Sequence, residues 1–157
     1  MKRIAVILSL AVLACTARVY ASDSIGLGVR AGAAANAGNS QFYEAFADLY
    51  LNRLISVGAE VAYVVADYKN LNTVRRDESM PITALFKVHA PIPFLSPYAG
   101  AGQALIFHDR RATKGSPVFL GGLDFGFGLP LLFVNVEYRR QVDDKLDFIA
   151  GGVGVKF

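Results

Sequence analysis

The sequence has few of the residues that most often carry chemistry. Its 157 residues include one cysteine, two histidines and no tryptophan. A single cysteine excludes an internal disulfide and paired-cysteine zinc sites. The chain also lacks an HExxH motif and the ligand spacing of a calcium loop, so we expect no metal site and no cofactor.

Long apolar runs are also absent, apart from residues 4–14 near the amino terminus. That run is much shorter than the roughly 20 residues that a membrane-spanning helix needs. Lys2 and Arg3 precede it, and Val19-Tyr20-Ala21 supplies a small-x-small cleavage pattern. This arrangement predicts a signal peptide over residues 1–21 and one exported domain over residues 22–157.

Cys15 offers a competing processing site, because residues 12–15 resemble the lipobox of bacterial lipoproteins. Cleavage after Ala21 would remove Cys15, and the mature chain would then contain no thiol. The sequence leaves open whether Cys15 is lipidated.

The predicted cleavage also changes the charge balance of the protein. It removes three basic residues and no acidic ones, which leaves 13 basic residues against 13 acidic residues. The mature chain is therefore formally neutral, and its charge gives no support to nucleic-acid binding.

Apolar and polar residues alternate with period two along most of the mature chain. The clearest case is residues 131–142, where Leu132, Val134 and Val136 oppose Asn135 and Glu137. In residues 97–107 many alanines and glycines blur the pattern, and Gln103 fits a polar face opposite Ala104 and Ile106. The alternation predicts eight β-strands, at 24–34, 42–51, 54–68, 82–89, 97–107, 119–128, 131–142 and 146–157.

The connections between these segments also follow a rule. Tight turns at 52–53, 91–96 and 129–130 alternate with more polar connections at 36–41, 69–79, 110–116 and 143–144. Bacterial outer-membrane barrels have short periplasmic turns, longer outer loops and both termini on the periplasmic side. The pattern therefore predicts an all-β fold, an eight-stranded antiparallel up-and-down transmembrane β-barrel.

The polar face decides which side of the barrel points outward. A soluble lipocalin-like barrel would place its polar face in water, but here that face consists largely of glycine, alanine and serine. Small residues instead suit the narrow interior of an eight-stranded barrel. We expect the apolar face to contact lipid, with Tyr43, Tyr63 and Tyr98 in an aromatic girdle near the strand ends.

The chain ends in alternating apolar residues and a final aromatic residue. Gly152, Val153, Val155 and Phe157 lie in this segment, and it resembles the carboxy-terminal assembly signal of outer-membrane β-barrels. The whole mature chain resembles the small eight-stranded barrels typified by outer membrane proteins A and X. That resemblance implies recognition of the last strand by the outer-membrane barrel assembly machinery, with Phe157 as the recognition residue.

The two histidines are the candidates for catalysis. Barrel enzymes that deacylate envelope lipids carry a His-x-Ser pair on one strand, whereas His89 is followed by Ala90-Pro91 and His108 by Asp109-Arg110. Neither pair matches, so we predict that the protein is not an enzyme.

Charged residues on the polar face would meet inside the barrel, where we expect them to pair with one another. A different basic set lies in the predicted outer loops and is a candidate for contacts with lipopolysaccharide phosphates. The predicted lumen charge network consists of Arg30, Glu44, Asp48, Glu60, Lys87, Asp124, Glu137 and Arg139. The candidate lipopolysaccharide contacts are Arg75, Arg76, Arg110, Arg111 and Lys114.

These patterns together favour a non-enzymatic, monomeric barrel in the outer membrane of a Gram-negative bacterium, with an envelope structural or surface-interaction role and no open pore. One alternative is an enzyme of envelope lipids, which would need a histidine beside a serine or aspartate in the folded barrel. Another is a soluble periplasmic binding barrel. The sequence names neither a ligand nor a protein partner at the cell surface.

Overall fold

The computed structural model of the protein describes residues 25–35, 40–70, 73–90, 92–108, 112–126 and 132–157, without the side chains of 66–70 and 73–77. The predicted signal peptide and Cys15 lie outside the described residues. Within these ranges, no helix is both long and apolar enough to span a membrane. The strands are β1 (Ile25–Ala34), β2 (Ser40–Tyr50), β3 (Ile55–Asn70), β4 (Thr73–His89), β5 (Leu95–His108), β6 (Lys114–Gly126), β7 (Leu132–Gln141) and β8 (Leu146–Lys156).

The eight strands form one closed barrel in chain order, and every neighbouring pair is antiparallel. The barrel closes between β1 and β8, where Arg30 lies opposite Gly152 and Ala34 opposite Phe148. At the strand ends the backbone groups of Ile25 and Phe157 exchange hydrogen bonds of 2.8 and 3.1 Å. The predicted fold class is confirmed, and closure leaves the sheet without a free edge strand along the barrel wall.

The alternating sequence places apolar side chains on the outside of the barrel. Leu27 and Val29 on β1 are exposed, whereas Arg30 between Val29 and Ala31 is buried. The same order holds on β7, where Val136 and Tyr138 are exposed and Glu137 and Arg139 are buried. The exterior is therefore apolar and the interior contains the charges, which is the reverse of a water-soluble barrel.

The narrow interior requires glycine at particular positions. A Cβ atom at Gly152 would overlap the carbonyl oxygen of Val29 and the side chain of Arg30, and one at Gly122 would overlap the Tyr98 ring. These two glycines let large polar side chains lie against the barrel wall.

The prediction for the fifth strand was wrong in phase. Gln103 lies on the outer face, while Ala104 and Ile106 are buried inside with Val118 and Leu120. Tyr98 is also inside, so it is not part of an outer aromatic girdle; Tyr43 and Tyr63 do lie outside. The error arose because the interior around Ala104 and Ile106 is itself apolar. Polarity therefore does not distinguish the inner face of β5 from its outer face.

Two of the predicted loops are partly strand. β4 begins at Thr73 rather than near residue 82, and β3 continues to Asn70, so most of the expected 69–79 loop is a hairpin with Asp67 opposite Arg76. β6 likewise begins at Lys114. Charged residues favoured a loop in the sequence, but cross-strand pairing continues through them.

We call the end of the barrel with Ile25 and Lys156 the terminus end, and the opposite end the hairpin end. Two described turns shape the terminus end. In the turn after β2, the Asn52 side chain accepts hydrogen bonds from the backbone N–H groups of Leu54 and Ile55, at 2.7 and 2.9 Å. In the turn after β4, Phe94 has a φ of 66°, a conformation that costs a residue other than glycine about 1–3 kcal/mol.

Candidate functional site

The candidate site is a cluster of charged side chains that crosses the middle of the barrel interior. Strands β1, β2, β3, β4 and β7 supply its members, each from an inward-facing position of its strand. All members are 6% exposed or less. We define the lumenal cluster as Arg30, Glu44, Asp48, Glu60, Lys87, Glu137 and Arg139.

Two arginines and three glutamates form the centre of the lumenal cluster. The Arg30 guanidinium lies 2.6 Å from a carboxylate oxygen of Glu44 and 2.6 Å from one of Glu60, and it also contacts Glu137. The Arg139 guanidinium lies 2.5 Å from Glu44 and 2.5 Å from Glu137, and it also contacts Glu60. Each glutamate therefore bridges both guanidinium groups, which ties β1, β2, β3 and β7 together across the lumen.

Lys87 extends the cluster toward the terminus end. Its ammonium group donates hydrogen bonds to Asp48 at 3.0 Å and to Glu60 at 3.1 Å. Glu60 thus accepts from all three cations of the cluster. Because isolated buried charges are costly, this pairing is what allows seven ionisable groups to remain inside the barrel.

A neutral network links the eighth predicted residue, Asp124, to the cluster. The Asn135 amide donates to Asp124 at 2.6 Å and to the Tyr98 hydroxyl at 2.8 Å, and the Tyr98 hydroxyl donates to Glu137 at 2.8 Å. Asp124 forms no ion pair among the described residues. Sequence reasoning missed Tyr98 because β5 was assigned the wrong phase, and it missed Asn135 because only charged residues were considered, although Asn135 alternates in step with Glu137.

Apolar side chains close the interior on the hairpin side of the lumenal cluster. The rings of Phe42 and Phe148 lie 5.0 Å apart, packed with Ala34, Val64 and Leu146. We call these five residues the apolar layer. On the other side, the Phe46 ring lies against Arg30, 4.4 Å from the guanidinium carbon to the ring centroid. Side chains thus occupy the described interior within the lumenal cluster and on its hairpin side, as expected for the narrow interior of an eight-stranded barrel.

Three carboxylates of the cluster lie close enough to share a metal ion, since Glu44, Glu60 and Glu137 each offer an oxygen within 4.8 Å of the others. Each of them, however, already binds both Arg30 and Arg139. The two guanidinium groups supply the positive charge that a cation would bring, so the geometry is that of an ion-pair cluster.

A histidine and a serine meet at the terminus end. The Ser56 hydroxyl lies 2.8 Å from Nε2 of His89. The His89 ring also contacts the rings of Tyr50 and Tyr98, with centroid distances of 5.1 and 5.4 Å. The sequence search looked for this pair along one strand, but Ser56 is on β3 and His89 on β4. Ser56 is fully buried, and no described residue accepts a hydrogen bond from Nδ1 of His89, so no described carboxylate orients the histidine ring.

Three of the candidate lipopolysaccharide contacts, Arg75, Arg76 and Lys114, lie in described strands toward the hairpin end. Lys114 begins β6, and its ammonium group lies 3.3 Å from Asp144. Arg75 and Arg76 lie in β4 opposite Tyr68 and Asp67. The side chains of Arg75 and Arg76, and Arg110 and Arg111 altogether, are outside the described part of the chain.

The carboxy-terminal residues form the closing strand. Val153, Val155 and Phe157 are exposed on the outer face, and Gly152 lies inside against Arg30. The last strand therefore presents an apolar outer face, and Gly152 on its inner face leaves space for the lumenal cluster.

Comparison with known proteins finds likeness at the level of structure. No protein-family model and no curated protein matches the chain. A designed transmembrane β-barrel has a TM-score of 0.64 and 17% identity, covering 85% of this chain and 95% of that one. The N-terminal β-barrel domain of Pseudomonas aeruginosa OprF has a TM-score of 0.58 and 18% identity, covering 85% and 97%. Ail, the attachment invasion locus protein of Yersinia pestis, has a TM-score of 0.54 and 17% identity, covering 86% and 97%.

At these identities the likeness concerns the fold. The expected resemblance to small eight-stranded outer-membrane barrels is confirmed for the architecture: strand number, closure and antiparallel order are those of this structural group.

Proposed function

We propose that this protein is a non-enzymatic β-barrel of the bacterial outer membrane with a closed interior, serving envelope structure or surface interaction. The observation that carries the proposal is the inversion of polarity: exposed Val29, Phe119 and Ile149 outside, and the lumenal cluster inside. In water such an exterior would be a very large apolar patch, whereas in a bilayer it is the lipid contact surface.

The rest of the proposal follows from this location. The chain reaches the membrane through a cleaved signal peptide over residues 1–21, and the assembly machinery recognises its last strand, including Phe157. The barrel is a monomer. Its hairpin end faces lipopolysaccharide, where Lys114, Arg75, Arg76, Arg110 and Arg111 provide cations for phosphate groups.

Absence of conduction distinguishes this proposal from a pore. The purified full chain, reconstituted in planar bilayers, is expected to show no steady ion current, because the lumenal cluster and the apolar layer fill the interior. A steady, charge-selective conductance that Glu137→Ala alters would overturn the closed-interior proposal.

Contact between His89 and Ser56 is the observation that favours the enzyme alternative. It is tested by incubating the reconstituted protein with phospholipid and lipopolysaccharide and measuring released fatty acid. We expect no release above the level of His89→Ala and Ser56→Ala variants, because Ser56 is buried. Release that both substitutions abolish would favour the enzyme.

A further inference from the structure

The turns at the terminus end carry apolar side chains where a water-facing turn would carry polar ones. Phe94 is 75% exposed, and Leu51, Leu54 and Ile92 are each 53–54% exposed. We call these four residues the turn tips. They lie in the turns that join β2 to β3 and β4 to β5.

Their exposure does not come from loosely held backbone. The Leu51 N–H donates to the Ile55 carbonyl at 2.9 Å, and Asn52 holds the same turn from within. Ile92 and Leu95 exchange backbone hydrogen bonds of 3.0 and 3.1 Å, which fixes Pro93 and Phe94 at the tip of a tight turn.

Phe94 also occupies a position that would suit glycine. Pro followed by a residue with positive φ is the pattern of a type II turn, which normally has glycine at the second place. The Phe94 carbonyl accepts a hydrogen bond of 3.1 Å from the N–H of Gly126, which anchors the turn to β6. A rigid turn thus presents a large aromatic side chain at its most exposed point, in spite of the backbone strain.

The surroundings of the turn tips identify what covers them. Val57 and Val88, next along the outer face of β3 and β4, are exposed parts of the apolar exterior, so the turn tips continue that surface past the strand ends. Arg53 is exposed between Leu51 and Leu54. An apolar surface that ends in a cation matches the layer where acyl chains meet anionic headgroups.

We propose that the turn tips are embedded in the inner leaflet of the membrane, with Leu51, Leu54, Ile92 and Phe94 among the upper acyl carbons and Arg53 at a phospholipid phosphate. The inference rests on the proposed function, because it requires the barrel to span a bilayer. It adds that the terminus end is seated within the lipid interface and does not project into the periplasm.

The absence of tryptophan from the chain makes the test direct, since each introduced tryptophan is the only one present. Three full-chain variants are reconstituted in vesicles of phosphatidylethanolamine and phosphatidylglycerol: Phe94→Trp at the turn tip, Phe119→Trp on the exposed barrel exterior and Thr113→Trp near the hairpin end. Each is titrated with lipids brominated on the acyl chain and, separately, with aqueous acrylamide.

We expect brominated lipid to quench Phe94→Trp and Phe119→Trp strongly and Thr113→Trp weakly, with the reverse order for acrylamide. Strong acrylamide quenching of Phe94→Trp, with Phe119→Trp still quenched by bromine, would overturn this inference alone and leave the turn tips as a surface for a periplasmic protein. If bromine fails to quench Phe119→Trp as well, the proposed function itself fails.

The role of Arg53 is tested in the Phe94→Trp background. At equal mole fraction, brominated phosphatidylglycerol is expected to quench more than brominated phosphatidylcholine, and Arg53→Glu is expected to remove this difference. Equal quenching by both lipids before the substitution would show that Arg53 selects no anionic headgroup.

Discussion

Glu60 is the residue whose loss should cost the barrel most stability. It accepts from Lys87, Arg30 and Arg139, and its side chain is fully buried at the centre of the lumenal cluster. The substitution Glu60→Gln keeps the shape of the side chain but removes the negative charge that three buried cations share. It therefore isolates the electrostatic contribution from packing.

The magnitude follows from the penalty for leaving a buried charge without its partner, about 3–5 kcal/mol. Glu44, Glu137 and Asp48 remain beside the three cations and compensate in part, so we expect about 3 kcal/mol. If the free energy of unfolding falls by about 2 kcal/mol per molar urea, the urea concentration at the unfolding midpoint falls by about 1.5 M. The measurement is urea unfolding of the barrel in phospholipid vesicles, followed by the mobility difference between folded and unfolded protein on a cold detergent gel.

The matched control is Lys114→Ala, which breaks the ion pair with Asp144 at the exposed hairpin end. An exposed pair contributes about 0–1 kcal/mol, so this midpoint should hardly move. If Glu60→Gln loses no more stability than Lys114→Ala, the three cations do not depend on Glu60 and the pairing described for the cluster is wrong.

Three further predictions concern packing and backbone. Gly152→Val is expected to reduce the folding yield strongly because the new side chain would overlap the Val29 carbonyl and Arg30. Gly151→Ala on the open outer face should fold normally. Equal yields would contradict the close approach of Arg30 to the backbone at Gly152. Phe148→Ala is expected to lower the free energy of unfolding in vesicles by about 3–5 kcal/mol because it leaves a cavity in the apolar layer. Phe119→Ala on the outer face should lower it much less. The opposite order would indicate that the apolar layer is filled with water. Phe94→Gly should be more stable than Phe94→Ala by about 1 kcal/mol in detergent, since only glycine relieves the positive φ; equal stability would argue against strain there.

Much of the fold could be predicted because a barrel wall enforces period two. On β1 and β7 most outer side chains are apolar and most inner positions are polar or glycine, so the phase is clear. On β2 the inner face alternates Phe42 and Phe46 with Glu44 and Asp48, and the two carboxylates set its phase. Charges such as Arg30 and Glu137 could be assigned to the interior for the same reason, although which carboxylate meets which cation depends on the barrel's stagger and not on the sequence of any one strand.

The rest failed where polarity stopped distinguishing the two faces. Ile106 and Val118 make the interior apolar near the hairpin end, so β5 offered no polar side to count, and its phase and the position of Tyr98 were lost with it. The contact between Ser56 and His89 was missed because it joins neighbouring strands. The charged residues of the β3–β4 hairpin predicted a loop. The prediction was wrong because a strand that lies outside the bilayer can carry charged side chains.

The central claim is that the chain forms a closed barrel whose apolar exterior lies in lipid. The most direct measurement is the mobility of the full chain on a detergent gel, with and without boiling, using the membrane fraction of cells that express it. We predict recovery in the membrane fraction and a faster-migrating unheated form, because a closed barrel with a paired interior resists detergent. Recovery as soluble protein, with the same mobility before and after boiling, would contradict the account.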